Sequence, residues 1–183
     1  MSDLHFSQAS SATDYKQIAE INTQHLNSPD ENGFLIIRLD ETEISRLAHE
    51  NSIEFYTARD SNDEIQGYVV AATEFDMSLV DSMQWVSSSL KSKTLDALSG
   101  KHLYIKQLAV RKQSQGLGVG SFLYAQLERN LGLPIIAFVA ETPRQNEPSL
   151  RFHIKHKFIE VGTLYRAQFG KFTDYYSRMF VKF

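Results

Sequence analysis

At 183 residues with 42% hydrophobic and 22% charged side chains, the chain has an ordinary globular composition and the length of one domain able to bury a core. A formal net charge of −3 argues against a general nucleic-acid binder, which needs a basic surface. No run approaches the roughly 18 apolar residues of a membrane span. The absence of cysteine removes disulfides, thiolate metal sites and a cysteine nucleophile together. The opening MSDLHFSQASS carries no basic segment followed by an apolar core, so no secretory signal is read and a cytoplasmic protein is expected.

Residues 13–26 are predicted as a first helix, with Thr13 or Asp14 as its cap and Ile18, Ile21 and Leu26 facing inward. Asn27-Ser28-Pro29-Asp30 breaks it, and the apolar stretch Gly33–Ile37 follows. An early strand is expected near residues 5–9 or 33–38. Asp40 to Glu50 reads as a second helix, with Asp40 and Glu43 at capping-box spacing. Ile53–Ala58 and Ile65–Phe75 read as an antiparallel hairpin closed by the turn residues Ser61-Asn62-Asp63.

Asp76–Gly100 is too long for a hairpin turn. It holds the only tryptophan, Trp85, among Met77, Leu79, Val80, Met83 and Val86, and Ser87-Ser88-Ser89 interrupts its helical pattern. It is expected to be a partly helical insertion. Two readings stay open: a wall of an acceptor site, or a flap that covers the sheet or makes dimer contacts.

Leu103–Val110 has strand chemistry, and Arg111 to Gln115 forms a polar break. Gly116, Gly118 and Gly120 follow, and then an apolar stripe at Val119, Leu123, Leu127 and Leu131 places a helix that Gly132 and Pro134 end. Alternating glycines at a helix start have a physical use. The first-turn N–H groups lack helical partners, and the missing Cβ atoms let a phosphate reach them. The competing reading is a tight turn that serves only the backbone. A P-loop would need Lys and Ser or Thr after its last glycine, where Ser121 and Phe122 stand. A dinucleotide fingerprint would place an acidic residue near Phe138 and Val139. Both are weak matches.

Downstream, Pro134–Glu141 reads as a buried strand and Pro148–Lys155 as a helix. Phe158–Tyr165 and Tyr175–Lys182 read as closing strands around a turn at Gly170. The five histidines other than His153 show no paired spacing that suggests a metal site. The order of elements suggests a mixed α/β (α+β) fold with one largely antiparallel sheet.

Gln115-Gly116-Leu117-Gly118-Val119-Gly120, after the strand Gln107–Val110, resembles the acetyl-CoA-binding motif of the GNAT N-acetyltransferases, R/Q-x-x-G-x-G/A. A second segment, from Asn146 through Ser149, Phe152, His153 and Lys155 to Phe158, is similar to that family's N-x-x-S-x-x-F-Y/H-x-K-x-G-F, except that Lys157 stands where glycine is usual. The resemblance implies a central twisted sheet of about six or seven strands flanked by helices, with two central strands splayed to admit the pantetheine arm. It also implies that residues 1–183 form a single N-acetyltransferase domain in which residues 33–37 border the acceptor pocket. For Phe34 and Leu35 a place in the core is the other reading.

By the same resemblance, acetyl-CoA is the cosubstrate and a primary amine of a small molecule, amino acid or protein is the acceptor. Main-chain groups of Leu108, Ala109 and Val110 would hold the pantetheine and polarise the thioester carbonyl. Gln115, Gly116, Leu117, Gly118, Val119, Gly120 and Ser121 would hold the pyrophosphate, and Asn146 and Ser149 the pantetheine side. His153 stands where many members carry a tyrosine general acid. The strand before the glycine loop offers Tyr104, Lys106 and Gln107 in place of a glutamate base, so Glu141 and Glu74 become the candidate bases, with a water chain as the other possibility. A noncatalytic acyl-CoA-binding module is the alternative function. No metal, nucleic-acid or membrane partner is expected, and a homodimer through Tyr175 and Tyr176 is possible.

Overall fold

A computed structural model describes residues 3–26 and 33–183. The chain forms a mixed α/β structure on one eight-stranded sheet in the order β1-β2-β3-β5-β6-β8-β7-β4. The strands are β1 (His5–Gln8), β2 (Ile53–Arg59), β3 (Ile65–Ala72), β4 (Met83–Trp85), β5 (Leu103–Val110), β6 (Ile135–Thr142), β7 (Ile159–Phe169) and β8 (Phe172–Lys182). The helices are α1 (Ala12–His25), α2 (Glu41–Ala48), α3 (Ser78–Asp81), α4 (Ser88–Ser99), α5 (Val119–Leu131) and α6 (Glu147–Lys155). Two compact units divide the chain: Met1–Ala72 with Lys106–Gly132, and Thr73–Ile105 with Leu133–Phe183.

In the first unit, β1, β2 and β3 form an antiparallel ladder. The early strand is therefore His5–Gln8. Ser11, not Thr13 or Asp14, caps α1: its Oγ accepts from Asp14 N, and the Asp14 carboxylate accepts from the Ser10 and Ser11 amides. Sequence spacing alone left several cap candidates within one turn, and the reciprocal bonds decide between them. Ile18 and Ile21 are fully buried, whereas Leu26 lies past the helix, half-buried, and bridges to Leu35. The expected break at Asn27–Asp30 lies outside the described residues. Asp40 caps α2 as expected, but Glu43 turns away to Arg46 instead of returning to the cap. The hairpin turn is organised by Asp60, whose carboxylate accepts from the Asn62 and Glu64 amides, with Asp63 at φ 63. β3 ends at Ala72, short of the predicted Phe75.

A buried polar knot joins α1, β3 and β5 here. Gln107 Oε1 accepts from Asn22 Nδ2 (3.0 Å) and from the Tyr68 hydroxyl (3.0 Å), and Gln107 Nε2 donates to Ile37 O (2.8 Å). Asn22 Oδ1 accepts from Leu39 N (3.0 Å). Each of these buried polar groups is satisfied by the others, which orders residues 37–39 against the strand. Phe34 is buried, as the core reading of this segment requires.

In the second unit, β6, β8 and β7 form a long antiparallel meander, and β5 joins β6 in parallel over three pairs, Leu103↔Ile135 to Ile105↔Ala137. The segment after β3 is not wholly helical. It contributes β4, which pairs antiparallel with β7 and makes the eighth strand, beyond the six or seven expected. Ser87, read as an interruption, is the N-cap of α4, its Oγ accepting from Leu90 N. Phe75, Val80, Met83 and Leu98 from this segment pack with Ile136, Val161, Leu164, Met179 and Val181 in one core. Tyr175 is buried among these strands, while its neighbour Tyr176 is half-buried. A chain with few apolar residues per strand still hides a ring on the inward face of a meander, and the sequence period alone does not say which face is inward.

Replacing Gln107 with leucine strips one acceptor from both Asn22 and Tyr68 and should destabilise the fold by about 1–3 kcal/mol. For a chain of this size, thermal denaturation should then show the melting temperature lowered by about 4–10 °C. An unchanged melt would mean that the knot contributes nothing to stability.

Candidate functional site

Alternation on β5 separates two faces. Leu103, Ile105, Gln107 and Ala109 are buried, while Tyr104, Leu108 and Val110 are half-buried and Lys106 is exposed. The strand end is clamped from α1. His25 Nε2 lies 2.7 Å from Val110 O, so the imidazole donates to that carbonyl, and Gln24 Oε1 accepts from Lys112 N. From β3, Gln66 O accepts from Arg111 N and Gln66 Oε1 accepts from the Ser114 hydroxyl at 2.6 Å. His25, Gln24 and Gln66 are site-supporting residues that the sequence did not single out. They sit in ordinary polar positions of a helix and a strand, and nothing in their spacing marks them.

The loop then turns through a short 3-10 segment, Lys112–Ser114, into Gly116 and Gly118. Both take positive φ (75° and 85°), and a Cβ built on either would meet no atom within 4 Å. Their space is open to a ligand. Gly118 is the N-cap of α5 and has no side chain to bond the first-turn amides. Phe122 N bonds Gly118 O at 2.9 Å and so begins the helical ladder, leaving the amides before it directed out of the helix end. No acidic side chain stands in this first turn, so the helix brings no negative charge of its own to its positive end. Leu117 is exposed, while Val119 and Gly120 are buried.

The helix behind the loop is seated by a missing side chain. A Cβ on Gly67 of β3 would lie 2.8 Å from Val119 Cγ1 and 3.1 Å from Ala109 O, so only glycine lets α5 approach the sheet this closely. Val119, Leu123 and Leu127 are buried as predicted, joined by Tyr124. Leu131 is exposed instead, because the helix has reached its end at Gly132.

The other expected site residues lie in the second unit. Asn146 caps α6, its Oδ1 accepting from Ser149 N at 3.4 Å. His153, one turn on, is buried beside Phe152, Phe158 and Phe180. Its Nδ1 lies 2.7 Å from Ser149 O and therefore donates to it. Burial pushes the imidazole down to about 4, the Ser149 hydrogen bond raising it and His156 lowering it further. Near neutral pH it is uncharged, with its one proton given to Ser149 and a lone pair at Nε2. Glu141, at the end of β6 as predicted, accepts from Arg178 Nε at 2.8 Å and pairs with Arg178 Nη2. Glu74 is not late in a strand: β3 has ended, and it is exposed in the loop that follows. At the usual glycine position Lys157 itself takes φ 63, and the helix still closes through Phe158 N to His153 O. The turn keeps its geometry at a cost in backbone strain.

The sequence matches the acetyltransferase (GNAT) family over residues 16–158. The chain belongs to the GNAT family. No curated protein matches its sequence. Among solved structures, the chain is similar to Arabidopsis thaliana NAA60 in complex with a bisubstrate analogue, at 17% identity and a TM-score of 0.66, covering 99% of this chain and 98% of that one. NAA60 in complex with acetyl-CoA gives 18% identity and the same TM-score of 0.66, again covering 99% and 98%. The ribosomal-protein-S18-alanine N-acetyltransferase of Escherichia coli gives 11% identity, a TM-score of 0.63, and coverage of 98% and 92%. At these identities the likeness is one of fold, and it agrees with the mixed sheet described above.

Two stability measurements follow. Lys157→Gly removes a left-handed lysine and should stabilise by about 1 kcal/mol, raising the melt by about 2–4 °C; a lowered melt would contradict the strain. His153 binds a proton more readily unfolded than folded, so its stabilising contribution is intact above about pH 6.5 and lost as pH falls toward 4. Urea titrations at pH 7, 6 and 5 should show wild type losing more stability than His153→Leu, by up to about 1.4 kcal/mol per pH unit. Parallel pH dependences in the two proteins would mean that His153 titrates normally in the folded state.

Proposed function

We propose that this chain transfers an acetyl group from acetyl-CoA to a primary amine, by direct attack of the amine on the thioester in a ternary complex. The observation that carries this reading is the start of α5. Two positive-φ glycines with open space beside them lead into a helix whose first amides have no side-chain cap, in a chain of the GNAT family. That donor set suits the pyrophosphate of a CoA ester, with Gln115 to Ser121 around it. Solved relatives of the same fold bind acetyl-CoA and a bisubstrate analogue, which supports the same ligand class here. Leu108 to Val110 would meet the pantetheine and thioester through their main chain, the Val110 carbonyl being already taken by His25. The residues 1–183 would work as one transferase domain, with Asn146 and Ser149 also serving the pantetheine.

The reaction asks for a deprotonated amine, a polarised carbonyl and a proton for the departing thiolate. Holding acyl donor and amine together can itself supply several kcal/mol of the barrier reduction, on the order of 7–11 at most. Few side chains are then obligatory, which fits what this chain offers. Glu141 is bound to Arg178 and Glu74 stands in solvent, so water is the more suitable carrier of the amine proton. His153 holds no charge near neutrality, and its place is better suited to fixing α6 than to protonating sulfur. The same inventory favours, as a second reading, a module that binds acyl-CoA without turning it over.

Acetyl-CoA and CoA at about 100 times their dissociation constants should each stabilise the protein by about 2.7 kcal/mol, a rise of roughly 5–10 °C in the melt, and NAD should not. Thiol release from acetyl-CoA in the presence of a panel of primary amines then separates the two readings. Amine-dependent thiol release establishes the transferase, whereas a thermal shift with no release from any amine establishes the binding module. A shift with NAD alone would remove both.

A further inference from the structure

The second unit carries an arginine set among aromatic rings. Arg166 of β7 places its guanidinium carbon 4.7 Å from the Phe169 ring centre and 5.8 Å from that of Phe138. Phe138 meets Phe75 at 6.1 Å and Tyr104 at 5.9 Å, and Phe75 meets Tyr104 at 5.5 Å. Tyr175, opposite Arg166 in the ladder, packs on Phe169 with the rings tilted by 30°. Phe75 and Tyr175 are buried, but Tyr104, Phe138, Arg166 and Phe169 are each only half-buried. The cluster therefore has two buried members and four that are partly reachable from solvent.

Its charge is unbalanced. On the neighbouring strand Arg178 is held by Glu141 and Glu160, whereas among the described residues no carboxylate forms an ion pair with Arg166. The groups that sense its charge are Asp76, Tyr104, which also hydrogen-bonds it, and Tyr175. Asp76 is exposed, and its Oδ1 is engaged by the amide and hydroxyl of Ser78. Burial pushes the two tyrosines up, Tyr175 to about 12, so both stay neutral beside the arginine, which draws each of them back down. A stacked guanidinium keeps its fork of donors in one plane and is preorganised for a carboxylate.

We propose that Arg166 recognises a carboxylate on the acceptor, so that the amine substrate is of the amino-acid class, its apolar part lying on the Phe138 and Phe169 rings. The inference rests on the acetyltransferase reading for its place in a reaction, and its test reads binding, not turnover. Calorimetric titration of the protein saturated with CoA would compare L-phenylalanine, L-methionine and L-leucine with phenethylamine, 3-(methylthio)propylamine and isoamylamine. At least one amino acid should bind about 10- to 100-fold more tightly than its decarboxylated partner, the range of a charge-assisted bidentate contact. Arg166→Gln should abolish that preference, and Arg166→Lys should keep only part of it. Phe169→Leu, which leaves the charge but removes the ring beneath it, should weaken the preference and covers the case in which Arg166→Gln does not fold. Equal binding within every pair, or a preference that survives in Arg166→Gln, would overturn the proposal. A carboxylate preference in a protein that releases no thiol with any amine would instead defeat the transferase reading and leave Arg166 as the determinant of a binding site.

Discussion

The structure depends on how closely α5 can lie against β3. A helix end is useful as an anion site only if it is held still, and this one is held from behind by packing. Gly67 leaves the space that Val119 and Leu123 occupy, and these side chains, with Tyr124 and Leu127, form the buried face of the helix. From the front, Gln66, Gln24 and His25 tie the strand end and the polar loop by hydrogen bonds. The outcome is a set of backbone amides that point away from the protein at a fixed place, with two glycines keeping the approach clear. Preorganised donors of this kind lose little freedom when an anion arrives.

The second unit solves a different problem. Its meander buries a continuous apolar core, and α6 rests its His153 among Phe152, Phe158 and Phe180. The segment between β3 and β5 is drawn into that core through Phe75, Val80, Met83 and Leu98 while its middle extends the sheet as β4. Charged groups are sorted accordingly. Glu141 and Glu160 neutralise Arg178 within the sheet, and Arg166 is left against rings. The catalytic inventory is sparse for a physical reason: the acidic groups that the sequence offered are either paired or fully solvated, and neither state makes a strong base poised near neutrality.

The glycine loop and its helix were legible in the sequence because their signals are local: positive-φ positions need glycine, and a helix face repeats every three to four residues. The hairpin at Asp60–Glu64 and the cap at Asp40 were legible for the same reason. What escaped was set by contacts between distant residues. Gly67 looks like a weak strand residue until Val119 is seen to lie on it, and Gln107 looks like a lost glutamate until Asn22 and Tyr68 close on its amide. Ser11 was passed over because Thr13 and Asp14 are equally good caps in isolation. β4 is only three residues long, too short to register as an alternating pattern. Lys157 is instructive in the other direction, since a lysine occupies the left-handed position that the family fills with glycine and the backbone does not change course.

The central claim is that the amides at the start of α5 are the pyrophosphate-binding surface. Backbone amide NMR during a titration with CoA tests it most directly, residue by residue and without any variant. The account predicts that the resonances of Gly116 to Ser121 move first and farthest, with smaller changes at Leu108 to Val110. Large shifts elsewhere in the chain, with the 116–121 amides unmoved at saturation, would contradict it.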